Sequence, residues 1–226
     1  EAELSGLVRR GSCLAMVSSN GTIRQQDVLT GVRFEDFQVE VADSLCAAAC
    51  FALNRIFVSG KVIDFRRGEE VAALSIEDSQ LCRASFSSDG QFVALVTDDR
   101  LVKVWHVAAG EELHALVGPK KEVTALEFHP REPLLVAGFR DGSVRGWLVD
   151  SPSRELVIEG LGHRFAIRSI AFHPSEDRIA TLDESGSIRL WERNSGEVLL
   201  VLSSGAQGES PRVWFSDDGT QLFTTE

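Results

Sequence analysis

Twenty residues, FHPREPLLVAGFRDGSVRGW from Phe128 to Trp147, return 44 residues later as FHPSEDRIATLDESGSIRLW from Phe172 to Trp191. The aromatic ends keep their register while the middle is rewritten. A third copy, FSSDGQFVALVTDDRLVKVW, runs from Phe86 to Trp105, and Phe215 opens a fourth. The Phe positions step by 42, 44 and 43 residues, the Trp positions by 42 and 44, and each Phe stands 19 residues before its Trp. Chance rarely holds two aromatic series to one register, so the chain is built from one supersecondary unit used repeatedly.

Inside each unit apolar and polar residues alternate with period 2, interrupted by turn residues such as SDG, DDR and ESG. That pattern reads as three strands joined by tight turns, and a fourth short strand follows each Trp in EELHALV, ELVIEGL and EVLLVL. Weaker copies lie upstream. SSNGTIRQQDVLTG aligns with DESGSIRLWERNSG, which puts Gln26 where Trp191 stands and Leu7 at the Phe position, again 19 residues earlier. In SLCAAACFALNRIFVSGKVIDFRRGEEVAAL, Phe65 takes the Trp position with Phe51 only 14 residues before it, a unit that has lost its loops.

A single four-stranded sheet of this size cannot bury both faces, whereas copies stacked radially bury each against the next. The expected fold is all-β: a β-propeller of four-stranded antiparallel blades, about five blades plus half of a sixth. The blades span approximately 3–38, 39–75, 76–117, 118–161, 162–203 and a partial 204–226. The first blade starts inside its first strand and the last stops before its second turn. An incomplete ring is therefore expected, with the rest of the propeller supplied by further chain.

The net charge of -11 argues against a general binder of nucleic acid or of an anionic membrane. No apolar run approaches the roughly 20 residues needed to cross a bilayer. Cys13, Cys46, Cys50 and Cys82 form no CxxC pair, and Cys46 and Cys50 in LCAAACF read as small buried thiols, so the cytoplasm is the expected compartment.

The third-strand segments VKVW, VRGW and IRLW, the first-turn segments FSSDG and FSDDG, and the pair Gly162-His163 resemble the WD-repeat, or β-transducin-like, family. The resemblance covers essentially the whole chain and is strongest from about residue 76 onward. It implies a structural hydrogen-bonded tetrad in each blade: a His before the first strand, a Ser or Thr in the second, an Asp in the following turn, and the Trp. In the last complete blade His163, Thr181 and Trp191 match, with Ser185 at the Asp position. The blade before keeps Asp141 and Trp147 but has Pro119 and Ala137 elsewhere, and the one ending at Trp105 keeps Asp99, with Glu77 and Leu95 elsewhere. By this reading no blade has the full set, and apolar packing carries more of the stability than the network does.

No HExxH, GxSxG elbow or GxxxxGK[ST] loop is present, so no metal, cofactor or catalytic residue is expected. His129 and His173 in FHP read as turn residues beside a proline, and His106 and His114 as isolated strand-edge residues. Asp98, Asp99, Asp183, Glu184, Asp217 and Asp218 read as solvated turn acids. The basic residue two before the Trp position recurs as Arg24, Lys103, Arg145 and Arg189, a repeated blade environment of packed stems and polar heads.

The resemblance implies a protein-interaction face made by the turns after the second strand and the inter-blade loops. The matching residues are Ser19, Asp98, Arg140 and Glu184, joined by Glu77, Asp78, Lys120, Lys121, Arg164 and Phe165. The expected function is a non-catalytic scaffold or sensor module binding a protein or peptide, the repeat region of a larger regulatory protein. The alternative is a propeller-fold enzyme, of hydrolase or quinone-dependent dehydrogenase type, with its site in the central channel.

Overall fold

The computed structural model describes the chain except residues 1–3, 11–12, 19–20, 28–29, 34–35, 39–46, 51–53, 75, 77–82, 98–99, 117–120, 151–154, 159–161, 205–210 and 226. Every regular element among the described residues is a strand. The chain divides into two compact units, Glu1–Ala115 and Leu116–Glu226.

The first unit holds three four-stranded sheets. Sheet one is β1 (Leu4–Arg10), β2 (Cys13–Ser18), β3 (Thr22–Asp27) and β4 (Phe37–Gln38). Sheet two is β5 (Ala47–Cys50), β6 (Arg55–Val58), β7 (Lys61–Asp64) and β8 (Glu69–Ala73). Sheet three is β9 (Arg83–Phe86), β10 (Phe92–Val96), β11 (Val102–His106) and β12 (Glu111–Leu116).

In the second unit, sheet four is β13 (Val123–Phe128), β14 (Leu134–Phe139), β15 (Val144–Leu148) and β16 (Glu155–Ile158), and sheet five is β17 (Ile167–Phe172), β18 (Arg178–Asp183), β19 (Ser187–Glu192) and β20 (Val198–Ser203). The strands β21 (Val213–Phe215) and β22 (Leu222–Thr224) form a two-stranded sheet six. Strands in every sheet pair antiparallel in sequence order, as a meander must. The short unit with Phe65 forms the expected four strands, and Phe65 itself is fully buried.

Within each unit a recurring tryptophan sits in a core between stacked sheets. In the second unit Trp191 and Ile179 from sheet five pack with Ala125, Leu134, Val136 and Val144 from sheet four. The Trp191 indole is 1% exposed. Burying a side chain of that size removes roughly 150 to 250 Å² from water, at most about 4 to 6 kcal/mol of transfer free energy. Trp105 plays the same part in the first unit, packed with Phe57, Val62, Phe86 and Leu95.

Three first strands share an irregularity that the spacing does not reveal. The pairing of β1, β13 and β17 with their second strands slips between Leu4 and Gly6, between Val123 and Ala125, and between Ile167 and Ser169. A bulge at one point of the repeat re-aims one side chain per sheet. In sheet five that residue is Arg168, which forms an ion pair with Glu184.

The FHP histidines are more than turn residues. His129 Nδ1 accepts the N–H groups of Arg131 and Glu132 at 3.2 and 3.0 Å, and its ring meets Phe172 of sheet five edge-on at 4.8 Å between centroids. His173 Nδ1 accepts from Ser175 and Glu176 at 3.3 and 3.0 Å, and its ring meets Phe215 of sheet six at 4.9 Å. Because Nδ1 accepts, the His173 proton sits on Nε2, which donates to the Gly219 carbonyl at 3.1 Å. In the first unit Arg55 makes the corresponding reach, donating from sheet two to the Gly90 carbonyl in the first turn of sheet three at 2.9 Å. The two histidines each tie the first turn of one sheet to the next sheet, and Arg55 ties β6 to the first turn of sheet three, which corrects the reading of the two histidines as turn residues alone.

Candidate protein-interaction face

In the second unit the turns after the second strands and the loops before the first strands meet at one end of the sheets. The turn after β14 runs through Arg140, Asp141 and Gly142, and the Arg140 N–H donates to the Glu122 carbonyl at 2.9 Å while its guanidinium meets the Glu122 carboxylate at 2.7 Å. The loop before β17 lies against that turn. His163 N–H donates to the Gly142 carbonyl at 3.1 Å. Gly142 has φ +84°, and a Cβ there would collide with the His163 carbonyl and stand 3.0 Å from the Phe165 carbonyl. Only glycine serves both the backbone conformation and the close approach. On its other side the loop is pinned by the Glu184 N–H, which donates to the Ala166 carbonyl at 2.9 Å. Ala166 is buried, yet Arg164 is exposed and Phe165 is 51% exposed. A backbone fixed on two sides thus presents a cation and a phenyl ring to solvent.

Beneath the loop lies a buried polar chain. The Trp191 indole N–H donates to Thr181 Oγ1 at 2.7 Å, Thr181 Oγ1 is 2.7 Å from His163 Nε2, and His163 Nδ1 is 2.8 Å from Asp183 Oδ2. Asp183 can only accept, so Nδ1 carries the imidazole proton and Nε2 accepts the Thr181 hydroxyl. Every group is satisfied with the imidazole neutral. Burial, the dominant influence, lowers the His163 pKa below its ordinary 6.5 despite the hydrogen bond and charge of Asp183, which raise it.

The acid therefore comes from Asp183, two residues before the Ser185 that spacing places there. Sheet five carries a complete four-membered network, and the expectation that no blade has one is overturned. The physical reason is that Asp183 ends β18 and serves two directions. Oδ2 faces the histidine, while Oδ1 accepts from Ser185 N, Ser185 Oγ and Ser187 N at 2.9, 2.6 and 3.1 Å, which closes the turn. Asp183 is 2% exposed, so it is no solvated turn acid.

Among the described residues no other sheet shows this chain. Trp147 is buried, but Asp141 is exposed and turns to its own loop, accepting from Ser143 N at 3.1 Å and Ser143 Oγ at 2.6 Å. Partial burial pushes the Asp141 carboxyl up, and the Ser143 bonds together with Lys121 pull it further down, leaving it below the usual range. Trp105 is buried with its indole nitrogen lacking a hydrogen-bond partner among the described residues, because Leu95 stands where Thr181 stands in sheet five.

Of the remaining face residues, Lys121 is exposed beside the Asp141 turn. Ser19, Asp98, Asp99, Lys120, Glu77 and Asp78 lie outside the described residues. Arg24 and Lys103 reach the fourth strand side of their sheets, pairing with Asp36 and Glu112 at 3.4 Å each, and the Arg189 guanidinium lies 5.9 Å from the Trp191 ring centroid. The His106 ring meets Phe92 at 5.6 Å, edge-on. Asp218 is exposed, and bonds from Ser216 and Thr220 hold it down at about 2. Cys50 is a buried free thiol, Cys46 and Cys82 lie outside the described residues, and no group of metal-ligating side chains occurs among those described.

One charged residue was not singled out by the spacing. Glu127 on β13 is exposed, yet desolvation by the protein around it pushes its carboxyl up, to about 7, against the opposing pull of Arg212.

Comparison with known proteins agrees with this architecture. The family model described as WD domain, G-beta repeat matches residues 69–106, 110–147 and 154–192, together just over half of the chain. The chain belongs to the WD-repeat family, and its sheets are the blades of a β-propeller fold. Among curated relatives, it is 30% identical over 78 residues to WD repeat-containing protein 90 of Homo sapiens and 40% identical over 73 residues to angio-associated migratory cell protein of Homo sapiens. Those stretches are 34% and 32% of this chain, and only 4% and 16% of the relatives. Two solved structures share the fold across 99% of the chain. A computationally designed protein, Ika8, has a TM-score of 0.78 at 25% identity over 68% of its chain. A chain of the mitotic checkpoint complex has 0.81 at 18% identity over 72% of its chain.

Each family match begins on the fourth strand of one sheet and ends on the third strand of the next: β8 to β11, β12 to β15, β16 to β19. The sequence repeat and the structural sheet are offset by one strand.

Proposed function

We propose that this chain is a non-catalytic protein-interaction module, the repeat region of a larger cytoplasmic scaffold or regulatory protein. The observation that carries the reading is the loop of residues 162–166. It is held by Gly142 and Glu184, anchored by the buried His163–Asp183 pair, and yet carries an exposed Phe165 and Arg164. An ordered, solvent-facing aromatic next to arginine is the composition enriched at binding hot spots, and pre-ordering reduces the entropy lost on binding. Family membership supports the same reading. Two relatives have assemblies in their names: the U5 small nuclear ribonucleoprotein 40 kDa protein of Homo sapiens, 33% identical over 64 residues, and polyadenylation factor subunit 2 of Schizosaccharomyces pombe, 31% identical over 90.

The test is affinity capture with the wild type, Arg140→Glu and Phe165→Ala, read by quantitative mass spectrometry. Partners held by wild type and lost by both variants support the reading. Retention of every partner by both variants overturns the assignment of this face.

A further inference from the structure

We infer that the face around Phe165 takes an acidic peptide segment in which an Asp or Glu stands close to an apolar residue. This rests on the proposed function and specifies its partner. The whole chain is strongly acidic, with a net charge of -11, yet Lys121, Arg140, Arg164 and Arg168 lie on the loop that carries the exposed Phe165 and on the turn and strand ends that adjoin it. Their local acids are already engaged. Glu122 pairs with Arg140, Glu184 pairs with Arg168, and Asp141 accepts from Ser143 with Lys121 nearby. Arg164 shares the pinned loop with Phe165 and reaches solvent.

A carboxylate approaching this loop meets a guanidinium with a bidentate fork, and an adjacent apolar side chain covers the ring. The ion pairs of Arg140 and Arg168 are exposed, so their arginines are open to exchange of partner at small cost. Among the described residues here, Lys121, Arg140, Arg164 and Arg168 stand against Glu122, Asp141 and Glu184, so the balance is positive and favours an acidic partner over a basic one. The negative field of the rest of the chain disfavours polyanions much longer than this patch, which separates a short acidic peptide from nucleic acid.

A random dodecapeptide display library selected on the whole chain, then counter-selected on Arg164→Glu, tests the inference. Selected sequences are expected to carry Asp or Glu within two positions of Leu, Ile, Phe or Trp. One such peptide, fluorescently labelled, should bind at least about tenfold more weakly to Arg164→Glu and to Phe165→Ala. Its affinity should be unchanged for Arg178→Glu, at the other end of β18. Affinity for the labelled peptide should fall as salt is raised, as for any charge-steered contact.

Selection of basic or uncharged peptides, of peptides indifferent to these variants, or of none at all overturns the inference. Stronger binding of a single-stranded oligonucleotide than of the peptides, lost in the same variants, overturns it in favour of nucleic acid. Both variants alter exposed side chains, and an unchanged melting temperature confirms that each remains folded. Loss of captured partners in Phe165→Ala together with selection of non-acidic peptides means that the face binds protein by other chemistry, so the proposed function stands while this inference fails.

Discussion

Arg193, just after β19, donates to Glu132 from the first turn of sheet four at 2.6 Å, across 61 residues of sequence. Its second nitrogen donates to Asp177 in the first turn of sheet five, also at 2.6 Å, and Asn194 adds a bond to the same carboxylate at 3.1 Å. The guanidinium is 10% exposed while the two acids are about half exposed. One largely shielded fork therefore joins the first turns of neighbouring sheets, near the His129 ring that meets Phe172 of sheet five edge-on.

Arg193→Ala is expected to destabilise by about 1 to 3 kcal/mol, because the freed carboxylates regain water and moderate the loss. Arg193→Lys should recover little, since a single ammonium cannot serve both acids in this geometry. Urea unfolding of the three proteins measures this. Equal stability of all three would mean that the fork contributes nothing.

Trp191 and Trp105 occupy the same repeat position with different polar surroundings. Trp191→Phe breaks the bond to Thr181 inside a buried network, whereas Trp105→Phe removes an indole nitrogen that has no partner among the described residues. The two substitutions delete the same atoms. The sheet-five variant should nevertheless cost about 1 to 3 kcal/mol more, the usual penalty for leaving a buried polar group unsatisfied. Full truncation, Trp191→Ala, should cost about 3 to 5 kcal/mol. Denaturant midpoints compare all of them directly.

Acid should weaken the fold through His129 and His163 before carboxylates of ordinary pKa titrate. His129 and His163 both have folded pKa values below the ordinary 6.5, burial being the leading cause for each. Around His129 the surrounding charges oppose one another, Glu132 and Asp177 raising its pKa and Arg193 and Arg131 lowering it. A base depressed in the folded state binds its proton more readily when unfolded. Stability from these residues is therefore full above about 6.5 and is lost as pH falls toward the folded values.

Glu127 acts with the opposite sign. Its raised pKa makes the folded state less stable as pH climbs from about 4.5 to about 7, by an amount reduced by its contact with solvent. Glu127→Gln should thus steepen the loss of stability on acidification, and His129→Gln should flatten it. Unfolding free energies at several pH values between about 7.5 and 5.5 reveal both slopes, and identical slopes for wild type and His129→Gln would contradict the histidine assignment.

Gly142 and Gly31 both have positive φ, +84° and +70°, but a Cβ at Gly31 meets nothing within 4 Å. Gly31→Ala should cost about 1 to 2 kcal/mol, the strain of a left-handed alanine. Gly142→Ala adds the collision with the His163 carbonyl and should cost clearly more, with a displaced 162–166 loop. Thermal unfolding gives the stabilities. Amide exchange at Phe165 and Ala166 should accelerate only in the Gly142 variant.

The Phe and Trp spacing made the sheets legible because one packing requirement recurs between sheets two and three and between sheets four and five. The short sheet two was legible for the same reason, through Phe65 alone. Asp183 was harder to assign. Hydrogen bonding depends on which way a carboxylate turns, and Asp183 and Ser185 both lie within reach of a turn that either residue is able to close. The roles of His129 and His173 were also hidden. Their partners, Phe172 and Phe215, are 43 and 42 residues away, and no local pattern announces a contact of that range. The exposure of Phe165 followed from its place in an inter-sheet loop. The clamp around it, through Gly142 and Glu184, required the fold.

The one-strand offset between repeat and sheet has a consequence for dissecting this chain. A fragment cut at the border of a family match, for example just before Glu69, would carry β8 away from β5, β6 and β7 and leave an open ladder on one piece and an orphaned ribbon on the other. Expression boundaries placed after β4 and before β5, or after β8 and before β9, keep every ladder of the described residues intact. The segment that repeats in sequence and the segment that closes one hydrogen-bonded sheet are different stretches of this chain.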